Sequence, residues 1–144
     1  MFIFQFKRLS SLPLKFSAEA NNVCHYPRLS VSSDGDTGTI FSPNYPANTP
    51  TGITCRWNIT VSEGRVRLIF KDLQLSSNDC SPFFYQPFVR VEDRKGLLLL
   101  ANCTMKTPIV LESRYPRLWV TFHTNNGAPH RGFKAHYEAI PCKY

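Results

Sequence analysis

Five cysteines are the residues of this chain whose type and spacing could do chemistry most directly. They stand at Cys24, Cys55, Cys80, Cys103 and Cys142. Structural zinc sites usually bring cysteines together at Cys-x-x-Cys spacing, and no two cysteines stand that close together here. We therefore interpret them as two disulfide pairs and one remaining thiol, which is typical of a protein made for an oxidising compartment. Four cysteines admit three pairings, and spacing alone does not choose among them.

Histidines and one acidic segment are the other candidate metal ligands. His130 and His136 lack a metal-site spacing for a strand, where residues on one face differ by two positions. Residues 34–38 begin like a calcium loop but lack its closing glutamate, so we predict a solvated turn there. The histidines are interpreted as surface residues: His25, His123, His130 and His136. The chain also lacks a Gly-x-Ser-x-Gly turn, a phosphate-binding loop and a His-Glu-x-x-His segment, which favours binding over catalysis.

Two sequons predict N-glycosylation, one at Asn58 and one at Asn102. Asn58 stands between Trp57 and Ile59, which we expect to face inward, so its own side chain should face solvent. Asn102 directly precedes Cys103, and a disulfide at that cysteine would lower the occupancy of the site. Both modifications agree with secretion.

Short strands are the elements that must position these residues. Apolar and polar residues alternate in segments about ten residues apart, as in half-buried antiparallel strands, and no segment has a helical period. The clearest predicted strands span residues 53–61, 65–71, 88–93, 97–102, 117–124 and 132–139. A chain of 144 residues is the size of one domain. We predict an all-β fold in which two antiparallel sheets pack face to face as a sandwich.

The most apolar segment is the run from Leu97 to Ala101. Its length predicts a buried strand. It falls far short of the roughly 18 apolar residues that a membrane span needs, so we predict no span in this chain.

Residues 38–46 and 55–59 carry a resemblance to a known family. The first segment reads Gly-Thr-Ile-Phe-Ser-Pro-Asn-Tyr-Pro, and the second reads Cys-Arg-Trp-Asn-Ile. The prolines end a strand because they lack ladder donors, and the second segment alternates with the period of a strand. With the later strands, these segments resemble a CUB domain over roughly residues 24–140. The resemblance implies an extracellular, disulfide-stapled β-sandwich of the jelly-roll type that spermadhesins share.

The resemblance also implies how the cysteines pair. Cys24 would pair with Cys55, and Cys80 would pair with Cys103. The chain-entropy model assigns each of these disulfides roughly 3–4 kcal/mol of stabilisation. Cys142 remains outside the pairs, and it could join another chain, begin a further module or stay an unpaired thiol.

We expect three segments along the chain. Residues 1–22 form a leader, which is either a poor signal peptide, because its basic residues follow its apolar start, or an unfolded segment. Residues 23–140 form the CUB-like domain. Residues 141–144 form a tail that could open a missing module.

A calcium site is expected in many members of the family, on acidic loops at one end of the sandwich. At the positions where those carboxylates are expected, this chain has Ser76, Pro87 and Asn125. Calcium needs six to eight oxygen ligands, usually with several carboxylates, and Asp79 alone would not suffice. We therefore predict no metal site and no cofactor.

Basic residues and one aromatic insertion are the remaining candidates for binding. The formal net charge is +7. Four basic residues are predicted to face outward and could form one patch for a sulfated glycosaminoglycan, although a merely solvated face is the alternative. They are Arg65, Arg67, Lys71 and Arg90. The insertion Phe83-Phe84-Tyr85 would expose three rings and is a candidate partner loop.

The predicted function is that of a non-catalytic extracellular module that recognises another protein, either secreted or as part of a larger ectodomain. One alternative is a single-domain, spermadhesin-like protein that binds sulfated glycans. Another is the non-catalytic part of a secreted protease. A nucleic-acid partner is discounted, because that role would need aromatic platforms among the basic residues and fits poorly with disulfides.

Overall fold

The computed structural model describes residues 28–31, 37–61, 63–75, 87–127 and 130–142, with only the backbone described for the first of these ranges. These residues form nine β-strands. The strands are β1 (Arg28–Val31), β2 (Thr37–Phe41), β3 (Thr54–Val61), β4 (Arg65–Gln74), β5 (Phe88–Asp93), β6 (Gly96–Ala101), β7 (Ile109–Glu112), β8 (Arg117–His123) and β9 (Gly132–Ile140).

Two sheets divide these strands between them. One has five strands in the order β1-β3-β8-β5-β6, and the other has four in the order β2-β9-β4-β7. Every pairing is antiparallel except that of β1 with β3, which is parallel. β1 and β3 can run in the same direction because β2, which lies between them in the chain, belongs to the other sheet. The predicted all-β sandwich is confirmed.

Aromatic rings from both sheets meet at the centre of the core. The ring of Phe133 on β9 lies 5.4 Å from that of Trp57 and 5.4 Å from that of Phe122, both on the five-stranded sheet. It also lies 5.6 Å from the ring of Phe70 on β4. All three contacts are edge-to-face, which is a favoured geometry for aromatic pairs. Phe133 therefore joins the two sheets.

The six clearest predicted strands are all present, and their bounds differ from the prediction by at most three residues. β4 continues to Gln74 through an irregularity between Phe70 and Asp72. Two short strands, β1 and β7, were not predicted, because four residues carry too little alternation to be recognised.

The prediction that the run from Leu97 to Ala101 is buried is only partly right, because Ala101 is buried at 2% whereas two leucines of the run are exposed. β6 lies at the edge of the five-stranded sheet and pairs only with β5 among the described residues. Leu97 and Leu100 are therefore more than half exposed, at 56% and 57%. An apolar run of five residues does not distinguish a central strand from an edge strand, because this difference depends on pairing with residues far away in sequence.

Candidate functional site

A small open pocket lies at the end of the sandwich where β4 and β8 end and where β5 and β9 begin. Its empty space, which opens to solvent, is about 250 Å³. Twelve residues line it: Thr49, Pro50, Thr51, Gln74, Leu75, Pro87, Phe122, Thr124, Asn125, Gly127, His130 and Gly132. We call this the loop-end pocket. Several separate segments build it, so their pairing in the two sheets must form before the pocket can exist.

The loop-end pocket is lined by neutral and weakly basic residues. None of the lining residues, all within the described part of the chain, carries a carboxylate. Pro87 and Asn125 lie at the pocket, at two of the three positions where the resemblance led us to expect carboxylates. The side-chain Oδ1 of Asn125 accepts a hydrogen bond of 2.9 Å from Gly127 N, which holds this amide within its own turn. The third position, Ser76, and also Asp79, lie outside the described residues.

No group of three or more His, Cys, Asp or Glu side chains that could hold a metal ion is present in the described ranges. His123 Nδ1 is 2.8 Å from Thr54 Oγ1, and the His123 ring stacks on Phe88 with 5.2 Å between centroids. His130 lies at the loop-end pocket and His136 on β9. His25 and residues 34–36 lie outside the described part.

The aromatic insertion at residues 83–85 also lies outside the described residues. The residues on either side of the segment that contains it are Leu75 and Pro87, and both line the loop-end pocket. The described chain thus reaches this pocket at Leu75 and leaves it again at Pro87. Its role as a partner loop stays a prediction.

A cluster of Tyr45, Asp72 and Arg131 lies beside the loop-end pocket, and sequence reasoning did not predict it. Tyr45 Oη donates a hydrogen bond of 2.7 Å to Asp72 Oδ2. The guanidinium of Arg131 contacts both carboxylate oxygens of Asp72, at 2.5 and 2.9 Å. The hydrogen bond from Arg131 lowers the pKa of Asp72, an effect that burial opposes and the hydrogen bond from Tyr45 reinforces. Burial raises the pKa of Tyr45, and the hydrogen bond to Asp72 raises it further.

This cluster connects three segments that are distant in sequence. Tyr45 belongs to the segment that carried the family resemblance, Asp72 follows the irregularity in β4, and Arg131 precedes β9. The carboxylate of Asp72 is thereby already paired with a cation. In the sequence, the only feature that could have indicated this cluster was a tyrosine between two prolines. That feature does not identify a hydrogen-bond partner 27 residues away.

The four basic residues predicted to form one patch do not do so. Arg65 and Arg67 lie on β4 of the four-stranded sheet, and Arg90 lies on β5 of the five-stranded sheet. Their outer faces are therefore opposite surfaces of the sandwich. Lys71 also lies on β4, where it is exposed. The prediction of a single patch is wrong because outward orientation can be predicted from a strand pattern, whereas sheet membership cannot.

The arginines of β4 are moreover neutralised by carboxylates. Arg67 contacts Glu112 and Glu138, each at 2.9 Å. Arg65 contacts Glu112 at 3.3 Å and donates to the carbonyl oxygen of Ser113 at 3.2 Å. This part of the outer surface of the four-stranded sheet is an ion-pair network.

The structure describes only one cysteine of each predicted disulfide. Cys55 and Cys103 are buried, at 1% and 2% exposure, whereas Cys24 and Cys80 lie outside the described residues. The pairing therefore stays a prediction. Cys142 is a free, exposed cysteine.

Both sequon asparagines are half-buried. Asn58 lies on the outer face of β3, where its Oδ1 accepts a hydrogen bond of 3.3 Å from Thr60 Oγ1, and Asn102 directly follows β6. Their glycosylation stays a prediction.

Comparisons with known proteins identify the family. The family model described as CUB domain matches residues 24–137. The chain is similar to Tolloid-like protein 1 of Homo sapiens, with 30% identity over 127 residues that cover 85% of this chain and 12% of that protein. It spans between 10% and 12% of the length of the first curated relatives that it matches.

Solved structures share the fold. The CUB1-EGF-CUB2 domains of rat MASP-1 match with 30% identity and a TM-score of 0.66, over 78% of this chain and 42% of that one. The MASP-1 CUB2 domain bound to Ca²⁺ matches with 24% identity and a TM-score of 0.66, over 77% of this chain and 96% of that one. Within the described ranges, no helix has the length and hydrophobicity for a membrane span. The family match, the identity to relatives and the sandwich fold together show that the chain belongs to the CUB domain family.

Proposed function

We propose that this chain is a calcium-independent extracellular module that recognises another protein through two features, the loop-end pocket and the aromatic insertion at residues 83–85. CUB domains are generally non-catalytic modules, and the curated relatives that contain them are secreted or extracellular proteins. The proposed role follows that general pattern, while the proposed site and the proposed independence from calcium are argued from this chain's own residues.

One observation carries the proposal. All twelve residues that line the loop-end pocket lack a carboxylate. A Ca²⁺ ion needs several hard oxygen ligands with negative charge, and neutral threonine, asparagine and glutamine side chains supply too little charge. A partner held at this end would therefore contact the protein surface directly. The insertion Phe83-Phe84-Tyr85 would supply the aromatic contacts that are enriched in protein interfaces.

The experiment is a binding screen of the secreted chain against a panel of extracellular proteins, with each hit measured again in calcium and in chelator. We expect equal affinity in both buffers. A triple variant with Phe83→Ser, Phe84→Ser and Tyr85→Ser should lose at least about tenfold in affinity, since aromatic hot-spot residues commonly contribute 2 kcal/mol or more.

The matched control replaces three exposed apolar side chains elsewhere. Leu97→Ser, Leu100→Ser and Val110→Ser change residues that are all more than half exposed, and this variant should bind as the unchanged chain does. Binding that requires calcium, or that survives loss of the three rings, would contradict the proposal.

Calcium can also be tested without a partner. A site filled at a hundredfold excess over its Kd would stabilise the fold by about 2.7 kcal/mol and raise the melting temperature by several degrees. We expect the melting temperature to be the same with calcium and with chelator. A shift of several degrees would show that the loop end does hold the ion.

A further inference from the structure

The sequon that begins at Asn58 lies within a strand, on the outer face of the five-stranded sheet. Asn58 and Thr60 both belong to β3, which continues to Val61. Asn58 Oδ1 accepts a hydrogen bond of 3.3 Å from Thr60 Oγ1, whereas the sugar of a glycosylated asparagine is attached to Nδ2. The first sugar would therefore stand directly above the sheet and not on a loop away from it.

Trp119 lies directly across from Asn58. The two residues are register partners in the antiparallel pair of β3 and β8. The Cβ atoms of such partners are about 5 Å apart, so the indole ring is within reach of a sugar attached to Asn58. Trp119 is only half-buried, so part of its ring remains available for this contact.

Two arginines flank the ring of Trp119. Arg56 stands two residues before Asn58 on β3, and Arg117 stands two residues before Trp119 on β8. The guanidinium carbon of Arg56 lies 5.6 Å from the centre of the Trp119 ring, and that of Arg117 lies 5.7 Å from it. Both distances are within the range of cation–π attraction. The ring thus holds both guanidinium groups beside the position of the first sugar.

Both guanidinium groups have hydrogen-bond donors to offer. Neither forms an ion pair with a carboxylate of the described residues. Arg117 Nε donates to Thr60 Oγ1 at 3.2 Å, which leaves its other N–H groups for a further acceptor. The arginines of β4 on the other sheet differ, because Glu112 and Glu138 pair with them.

An N-acetylglucosamine has the matching chemistry. Its acetamide and hydroxyl oxygens accept hydrogen bonds, and its C–H groups can lie against an aromatic ring. We propose that Arg56, Trp119 and Arg117 form a binding site for the first sugar of the chain's own Asn58-linked glycan. The covalent link holds this sugar at a high effective concentration, so individually weak contacts suffice.

The inference goes beyond the proposed function, because this outer face and the loop-end pocket are different surfaces. It depends on use of the predicted sequon, and it gives the ring and the two arginines a role that the recognition of a partner protein does not require. A glycan held against the sheet would cover this face and leave the loop-end pocket open to a partner.

The test uses the full chain secreted from a host that attaches N-glycans, with Asn102→Gln in every variant so that only Asn58 can carry sugar. An endoglycosidase trims the glycan to one N-acetylglucosamine, and the intact mass identifies this single-sugar form. We expect it to melt about 3 °C or more above its sugar-free counterpart with Asn58→Gln, because the sugar adds hydrogen bonds to charged groups in the folded state.

Arg56→Gln with Arg117→Gln removes the charged donors. The difference in melting temperature between the single-sugar form and the sugar-free form should then fall below about 1 °C. The matched control, Lys71→Gln with Lys134→Gln, removes the same charge from the four-stranded sheet and should keep the full difference. Each comparison is made within one variant, so a general loss of stability and the direct effect of Asn58→Gln cancel.

Fluorescence provides a second readout that does not depend on stability. The chain has two tryptophans, and Trp57 is only 6% exposed, so quenching by acrylamide reports mainly on Trp119. Attachment of the single sugar should lower this quenching. Trp119→Leu should remove both the quenchable signal and the stabilisation by the sugar.

Three results would overturn the inference. One is a secreted chain whose Asn58 carries no sugar, and another is acrylamide quenching that the sugar leaves unchanged. The third is equal stabilisation by the sugar in the arginine variant and in the lysine control. The triple loop variant should keep the stabilisation by the sugar, so this inference and the proposed function can fail separately.

Discussion

The hydroxyl oxygen of Ser42 accepts a hydrogen bond of 2.9 Å from the backbone N of Phe133, 91 residues away in the chain. Ser42 N in turn donates to the carbonyl oxygen of Phe133 at 3.0 Å. Both residues are buried, and Phe133 is the ring that joins the two sheets. The serine of the Ser-Pro-Asn-Tyr-Pro segment therefore serves as a hydrogen-bond partner for the start of β9 after β2 has ended.

Ser42→Ala should destabilise the fold by about 1–3 kcal/mol, because it leaves a buried backbone N–H without a partner. A thermal or urea melt measures this loss. Thr39→Ala is the control, since Thr39 is exposed on the same strand, and it should stay within about 0.5 kcal/mol of the unchanged chain. Equal stability of both variants would contradict the role assigned to Ser42.

Asp93 should stabilise the fold in a way that depends on pH. Its carboxylate is fully buried and lies 2.7 Å from the guanidinium of Arg114. Burial would raise the pKa of Asp93, but hydrogen bonds from the side chain and backbone of Arg114 and from Lys95 N outweigh it and lower the pKa to about 2. Because the pKa is lower in the folded state, the stabilisation is present above about pH 4 and is lost as the pH falls through about 2.

Asp93→Asn should accordingly cost about 2 kcal/mol at pH 7. The difference from the unchanged chain should shrink as the pH falls from 4 to 2, which urea melts across that range measure. Glu63→Gln serves as control because Glu63 is exposed, and it should change little at any pH. A cost that stayed constant down to pH 2 would show that the charge of Asp93 is not the cause.

Two buried threonines should respond oppositely to the same substitution. Thr121 is 6% exposed and its hydroxyl has no partner among the described residues. Thr124 is 5% exposed, and its hydroxyl donates to Pro50 O at 2.8 Å and accepts from Ile53 N at 3.1 Å. Thr121→Val should therefore be neutral or stabilise the fold by about 1 kcal/mol, whereas Thr124→Val should destabilise it by about 1–3 kcal/mol.

Thermal melts distinguish these outcomes, since 1 kcal/mol corresponds to about 3 °C in a domain of this size. Similar losses in both variants would show that the hydroxyl of Thr121 does have a partner in solution.

Peptide mapping of the non-reduced protein should find Cys24 joined to Cys55 and Cys80 joined to Cys103. Cys142 should react with a thiol reagent in the folded protein, because it is exposed. Cys55 and Cys103 should stay protected until the protein is both unfolded and reduced, since both are buried. A crossed pair, such as Cys24 with Cys80, would contradict the predicted pairing.

Local patterns were sufficient to predict most of the strands and the faces that they bury. Cys55, Trp57 and Ile59 are all buried, as their alternation predicted. Such patterns work because the direction of a side chain on a strand depends only on its position in that strand. The short strands β1 and β7 and the exposure of Leu97 and Leu100 required knowledge of pairing, which a local pattern does not contain.

By itself, then, the sequence determined the all-β class, the positions of six strands, the inward face of strands such as β3 and the resemblance to CUB domains. The tertiary structure decided which strands share a sheet, and with that which charges are neighbours. Arg65 and Arg90 both occupy outward-facing positions in their strands. Arg65 nevertheless forms an ion pair with Glu112, whereas Arg90 lies beside Thr121 on the opposite surface. The physical reason is that these contacts join residues far apart in the chain, and only the pairing of whole strands brings them together.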